Sequence, residues 1–280
     1  MNDYIKAEFE FLSNNQKEIL VALLTSYNYE GFEEEGDLLK AYIPTNRFDR
    51  NELDVLAAKF DLSFSVSKVG NENWNQLWES NFQPVIFNHS VLKTPWLAIR
   101  ADFHQPIGFA EHEIIITPKM SFGTGHHATT SMVINMMGSI DFKGKKVLDF
   151  GTGTGILAVI SEKLGAHAIV AIDHDDQSLS NAAENFELNN CRNIQLLKAS
   201  SAQWNGEFDA ILANIIKSVI LDNFAHFANQ LNVNGILVLS GILADDETEL
   251  LEAARKHKLV LTSKFLDKNW ICLGLTHAKS

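Results

Sequence analysis

Apolar positions follow two regimes along the chain: short alternations up to residue 70, and near-continuous apolar runs separated by helical stripes after Lys146. Residues 4–11 alternate (Tyr4, Ile5, Ala7, Phe9, Phe11) and predict a strand. Ser13 and Asn14 offer N-caps to a helix carrying Ile19, Leu20, Leu23 and Leu24. Residues 29–35 and 38–43, joined by Gly36-Asp37, predict a hairpin that Pro44 ends. Asn46 or Asp49 starts a second helix with Leu53, Leu56, Ala57 and Phe60, and 62–69 is a further strand. The order strand, helix, strand, strand, helix, strand predicts a ferredoxin-like sandwich of about 70 residues.

Residues 71–84 predict a linking helix with Trp74, Leu77, Trp78 and Phe82 on one face. That stripe is expected to pack against a domain rather than to grip a substrate. Short strands follow around 85–87, 96–100 and 114–117, expected to cap the next domain. From Lys146, strands at 146–150, 168–172, 194–198, 208–213 and 234–240 alternate with amphipathic helices. Runs such as Ala168-Ile-Val-Ala-Ile172 are expected where a sheet is covered on both faces, so this is a doubly wound α/β domain. Residues 259–265 and 270–275 predict a closing antiparallel hairpin.

The chain has 280 residues, 46% hydrophobic and 21% charged, which excludes a mainly disordered or collagen-like protein and is long enough for two domains. Cys191 and Cys272 cannot build a disulfide framework or a cysteine zinc site, so a reducing compartment is expected. No apolar run approaches the roughly 20 residues that span a bilayer, and the first residues are too acidic and polar for a signal peptide. A cytoplasmic location and no membrane contact are the expectation. The net charge is −12; residues 1–84 hold 7 basic and 15 acidic side chains, and 85–280 hold 16 and 20. The N-terminal region would repel a phosphate backbone and attract a basic protein, although solubility alone also accounts for it.

Candidate chemistry gathers at Lys146-Val-Leu-Asp-Phe-Gly-Thr-Gly-Thr-Gly-Ile-Leu-Ala158. A strand runs into Gly151, Gly153 and Gly155, and a helix begins. Such a loop lets a nucleotide-like ligand lie against the backbone at a helix N-terminus. The dinucleotide pattern requires glycine where Ile156 stands, and no Gly-Lys-Ser/Thr of a phosphate loop is present. Asp173, at the end of the next strand, is placed to accept two ribose hydroxyls. Asp149 accepts the amino group of an amino-acid moiety or caps the loop. A ligand with both ribose and amino acid is S-adenosylmethionine.

Beyond that loop, Trp74–Pro84, Phe122-Gly-Thr-Gly-His-His-Ala-Thr-Thr-Ser131, Ala171-Ile-Asp-His-Asp175, Asn181-Ala-Ala-Glu-Asn185, Ala213-Asn-Ile-Ile216 and Leu239-Ser-Gly-Ile-Leu243 are spread over most of the chain. In these segments the chain resembles the PrmA-type methyltransferases of large-subunit ribosomal protein eleven. The glycine loop marks only the broad methyltransferase class; the Phe-Gly-Thr-Gly-His and Leu-Ser-Gly-Ile-Leu segments are more specific. Thr152 and Thr154 stand where Cys and Ser are more usual, and His126-His127 varies the usual turn.

The resemblance implies a doubly wound, seven-stranded Rossmann-like methyltransferase domain (85–280), a linking helix (71–84) and a smaller N-terminal ferredoxin-like α+β domain (1–70) for substrate recognition. It implies S-adenosylmethionine contacts at Thr130, Gly151, Asp173 and Asn214, to which the residue pattern adds Asp149 and Gly153. Asn214 is the candidate catalytic residue, with a strand cap as its plainer role. No metal site is expected at His126-His127. The implied partner is a basic ribosomal protein, trimethylated on lysine side chains and its N-terminal amine, with no direct nucleic-acid contact and a monomeric enzyme.

Methyltransferases acting on planar nitrogens commonly carry Asn/Asp-Pro-Pro-Tyr/Phe, whereas this chain has Asn214-Ile-Ile-Lys217, which argues for an aliphatic amine. A free lysine with pKa about 10.4 is neutral roughly once in a thousand at about pH 7.4, so a desolvated site must favour the neutral form. A methyltransferase of the same fold acting on a small molecule or RNA is the alternative. A binding module without catalysis would show damage at Gly151, Asp173 or Asn214, and a nicotinamide enzyme is weakened by Ile156.

Overall fold

A computed structural model describes residues 4–10, 13–60, 62–69, 83–89, 93–117, 125–204, 206–278. The chain divides into two compact units, Met1–Asn81 and Phe82–Ser280. The linking helix expected at 71–84 lies, except for Gln83 and Pro84, outside the described residues.

In the first unit β1 (Tyr4–Phe9), α1 (Asn14–Ser26), β2 (Gly31–Glu35), β3 (Leu38–Pro44), α2 (Arg50–Lys59) and β4 (Phe64–Val69) follow the predicted order. The sheet order is β2-β3-β1-β4 with antiparallel neighbours, the ferredoxin-like arrangement. Ser13 caps α1 in a reciprocal box with Gln16, and Asp49 caps α2 by accepting from the Asn51 N–H at 2.8 Å. Of the two possible caps for α2, the side chain nearer the first helical residue takes the role. Gly36, at φ +62, turns the hairpin in a conformation that side chains rarely adopt. Ala7 and Phe9 of β1, Leu39, Ala41 and Ile43 of β3, and Leu20, Leu24, Leu53 and Leu56 of the helices form the core.

The second unit opens with β5 (Val85–Asn88), β6 (Pro95–Ala101) and β7 (His112–Ile116), a three-stranded sheet in that order. Then come α3 (Ala128–Met137), β8 (Lys146–Phe150), α4 (Ile156–Lys163), β9 (Ala168–Asp173), α5 (Asp176–Leu188), β10 (Ile194–Lys198), β11 (Phe208–Asn214), α6 (Lys217–Gln230), β12 (Leu231–Leu243), α7 (Glu247–Lys256), β13 (Leu259–Asp267) and β14 (Trp270–His277). The seven-stranded order is β10-β9-β8-β11-β12-β14-β13. Strands β8 to β12 are parallel, and β14 runs antiparallel to both of its neighbours. Successive crossovers go outward from β8 to β10, then return across β8 to β11. The crevice between β8 and β11 at their carboxyl ends is therefore the switch point where such sheets bind ligands.

Strand β12 is longer than the 234–240 its sequence predicts, because it pairs with β11 on one side and β14 on the other. Its pairing with β14 shifts register between Leu239 and Ile242, so Ser240 and Gly241 oppose Cys272 alone in a β-bulge. Asp175 caps α5 through the Ser178 N–H, while Asp176 pairs with Lys198 at 2.6 Å.

The outer edge of β7 is not left open. Asn189 Oδ1 accepts from the Ile115 N–H at 2.9 Å, and its Nδ2 donates to the Ile115 carbonyl at 2.6 Å. Asn185 Oδ1 accepts from the Thr117 N–H at 2.8 Å, while its Nδ2 donates to the Thr154 carbonyl at 2.8 Å. Four helical residues rise about 6 Å and two strand residues about 6.6 Å, so this i, i+4 asparagine pair matches alternate residues of the strand. The Asn189→Ala variant leaves both backbone groups of Ile115 without these partners and is expected to lose about 2 kcal/mol in a urea titration. A loss below about 0.5 kcal/mol would show that water replaces the amide without cost.

Candidate active site

The turn after β8 carries Gly151 at φ +76, Gly153 at +54 and Gly155 at +79. The Gly151 and Thr152 N–H groups both donate to the Ile172 carbonyl, at 2.8 and 2.9 Å, which folds the turn back against the end of β9. A Cβ at Gly155 would approach Phe186 Cε1 to 2.5 Å, so this glycine serves helix packing. A Cβ at Gly151 would run into Ile215 Cγ2. The missing side chain there brings the turn after β11 directly against the glycine loop.

Two carboxylates frame this turn in different surroundings. Asp173, 8% exposed, accepts from the Gly153 N–H through Oδ2 at 2.9 Å, and from the His174 and Asp175 N–H groups through Oδ1 at 2.8 and 3.1 Å. Gly153 thus contributes its N–H to holding Asp173. Asp149 is almost wholly buried; its Oδ2 accepts from Thr152 Oγ1 at 2.6 Å, and its Oδ1 makes no hydrogen bond. Burial pushes its carboxyl up to about 7; the bond from Thr152 and the Ala158 N–H hold it down in part, and the Asp173 charge adds to the rise. Capping of the loop, one of the two roles open to Asp149, is thus present, and Oδ1 remains for a ligand.

On the other side of the crevice, Asn214 ends β11 and sits opposite Ser240 in the register with β12. Its Nδ2 donates to Thr130 Oγ1 at 3.1 Å, while Oδ1 is buried without a partner. Thr130 is fully buried on the first turn of α3, whose N-cap is His127, with Nδ1 accepting from the Thr129 N–H at 3.3 Å. All six candidate residues are therefore gathered: Asp149, Gly151, Gly153 and Asp173 in one turn, and Thr130 with Asn214 across it, joined by the Gly151–Ile215 contact. Residues 122–124 of the Phe-Gly-Thr-Gly-His segment lie outside the described residues.

Sequence reasoning missed Thr152, Ile215 and Asn185. Thr152 carried a signal, a hydroxyl three residues after Asp149. Ile215 carried none, since nothing local distinguishes it from Ile216, which is 50% exposed. Among the described residues no cluster of three metal-binding side chains occurs.

The sheet order, the glycine turn at its switch point and the carboxylate ending the second strand define an S-adenosylmethionine-dependent methyltransferase domain. The profile of the ribosomal protein L11 methyltransferase (PrmA) family matches residues 12–278. The chain belongs to that family. A Porphyromonas gingivalis protein of that name is 36% identical over 267 residues, covering 92% of this chain and 90% of the relative. One from Bacteroides fragilis is 33% identical over 261 residues, covering 90% and 91%. The crystal structure of a ribosomal protein L11 methylase from Lactobacillus delbrueckii subsp. bulgaricus superposes with a TM-score of 0.61 at 32% identity, over 66% of this chain and 96% of that one.

The Asp149 environment fixes a pH dependence. A carboxyl whose folded pKa lies above its unfolded value stabilises fully below the unfolded pKa, and that contribution is lost as pH rises through the folded pKa, here about 7. Asp149→Asn keeps an acceptor for Thr152 but cannot ionise. Its melting temperature relative to the parent is expected to rise between about pH 4 and about pH 7. A difference that stays constant over that range would mean the carboxyl is not shifted.

Proposed function

We propose that the protein transfers methyl groups from S-adenosylmethionine to amino groups of ribosomal protein L11, on lysine side chains and the N-terminal amine, as a monomer in the cytoplasm. The observation that carries the reading is the buried, unpartnered Oδ1 of Asn214, held by Thr130 at the switch-point crevice. Among the described residues no helix is long and apolar enough to cross a membrane.

The residues fit the cofactor. Gly151 lets the glycine turn close against Ile215, Asp149 Oδ1 would offer an acceptor for the ammonium of the methionine part, and Asp173 acceptors for the ribose hydroxyls. When bound, S-adenosylmethionine supplies a methyl group on positively charged sulfur. Asn214 Oδ1 accepts an N–H of the incoming amine and so aims its lone pair. Transfer to that lone pair would form an N–C bond at the expense of the S–C bond, whose electron pair would return to sulfur. The surplus amine proton leaves to water, since no side chain at the site is assigned as a general base. Because the donor is already activated, positioning is the main task of the protein. The acidic residues 1–70 recognise the basic substrate, and residues 71–84 link them to the catalytic residues 85–280.

Intact-mass analysis of unmethylated ribosomal protein L11 incubated with the enzyme tests the reading. Mass is expected to rise in methyl-sized steps only when donor is present, with Asn214→Ala slower by about a hundredfold. No mass gain from a protein shown separately to bind the donor would overturn the assigned substrate.

A further inference from the structure

The Leu239-Ser-Gly-Ile-Leu243 segment has no part in the chemistry described so far, yet its bulge touches the chain neighbours of both halves of the Thr130–Asn214 pair. The Ser240 carbonyl accepts from the Ile215 N–H at 3.1 Å. Gly241 stands at φ +81, where a Cβ would approach the Ile215 backbone oxygen, nitrogen and carbonyl carbon to 2.5, 2.8 and 2.9 Å. Ile215 is therefore wedged between two glycines, with its γ-methyl against Gly151 and its backbone against Gly241. The same bulge reaches α3: the fully buried Ser240 Oγ donates to the Ile271 carbonyl at 3.0 Å and lies 3.5 Å from the Thr129 carbonyl. Thr129 precedes Thr130, and Ile215 follows Asn214.

We propose that the Ser240–Gly241 bulge is a positioning device for methyl transfer: it fixes the turn after β11 and the first turn of α3 together, and so sets the Thr130–Asn214 pair. A regular strand at this point would have no extra residue. The side-chain alternation beyond Leu239 would then place different atoms under Ile215. Neither residue of the bulge is assigned contact with donor or acceptor, so its effect passes through Asn214 and Thr130.

The proposal rests on the methyltransferase reading above, and its test separates the two. In the full chain, Ser240→Ala is compared with the parent at saturating donor and acceptor, well below the melting temperature. The maximal rate is expected to fall between about tenfold and about a hundredfold, the scale on which misplacement of reacting groups acts. The donor Kd is expected to rise less than about threefold, because Asp173 and the glycine turn are untouched. A rate within about twofold of the parent would overturn the proposal by showing that the bulge is structural only.

The second readout needs no acceptor. The Asn214 side-chain amide, assigned in the nitrogen-15 spectrum by its loss in Asn214→Ala, is expected to shift in Ser240→Ala while that of Asn185 stays in place. An unmoved Asn214 amide overturns the proposal even if the parent transfers no methyl group to ribosomal protein L11, a result that would sink only the substrate reading. Gly241→Ala adds strain and a backbone clash. Where it folds, it is expected to shift the same amide further, and a smaller shift than Ser240→Ala gives also counts against the device.

Discussion

Gly151 lies where the turn after β8 meets the turn after β11, and any side chain there would occupy the space of the Ile215 γ-methyl. The turns that leave two adjacent parallel strands, paired up to Phe150 and Ala213, are thereby kept in van der Waals contact. That contact brings the glycine turn and Asn214 to one end of the sheet. The opposing side of Ile215 is fixed in the same way, by the missing side chain of Gly241. Glycine here is not a source of flexibility. In both places it permits a close approach that a larger residue would forbid, and its left-handed φ makes the turn without strain.

The rest of the site is built by spending backbone hydrogen bonds on side chains. Asp173 takes three N–H groups that the ends of strand and loop leave over, and is held by them. The Asn185 and Asn189 amides do the same for the free edge of β7, and Asn185 at the same time donates to the Thr154 carbonyl in the glycine turn. Helix α5 therefore ties the small three-stranded sheet to the loop that receives the ligand. Asp149 is the exception: one oxygen is satisfied by Thr152 and the other by nothing, in a fully buried position. A buried acceptor without a partner is costly in a free protein and is recovered only when a donor arrives.

Much of this was legible from the chain alone because its signals are local. The strand into glycines, the acidic residue ending the next strand, the caps at Ser13 and Asp49, and the Gly36-Asp37 turn are each set by a few adjacent residues. What escaped was non-local. The partner of Asp176 is Lys198, which is distant in sequence. The bulge at Ser240–Gly241 depends on two neighbours of β12 that impose different registers. The distinction between Ile215, packed beneath the site, and its exposed neighbour Ile216 depends on the glycine of another loop. A specific segment such as Leu-Ser-Gly-Ile-Leu could be noticed in the sequence, but its function there is visible only once Ile215 is seen resting on it.

An asparagine, rather than a carboxylate, at position 214 fits the acceptor chemistry on electrostatic grounds. An aliphatic amine must lose a proton before it has a lone pair to give, and a negative charge beside it would favour the ammonium form and work against that loss. A neutral amide oxygen accepts the N–H without holding the charge. Carboxylates do stand close along the chain, at Asp246 and Glu249 just beyond β12, but Lys217 bridges both, at 2.7 and 3.0 Å. Its ammonium is held above its ordinary pKa by those two partners, so it remains charged and neutralises them. The segment that follows Asn214 thus also carries the cation that occupies these two carboxylates.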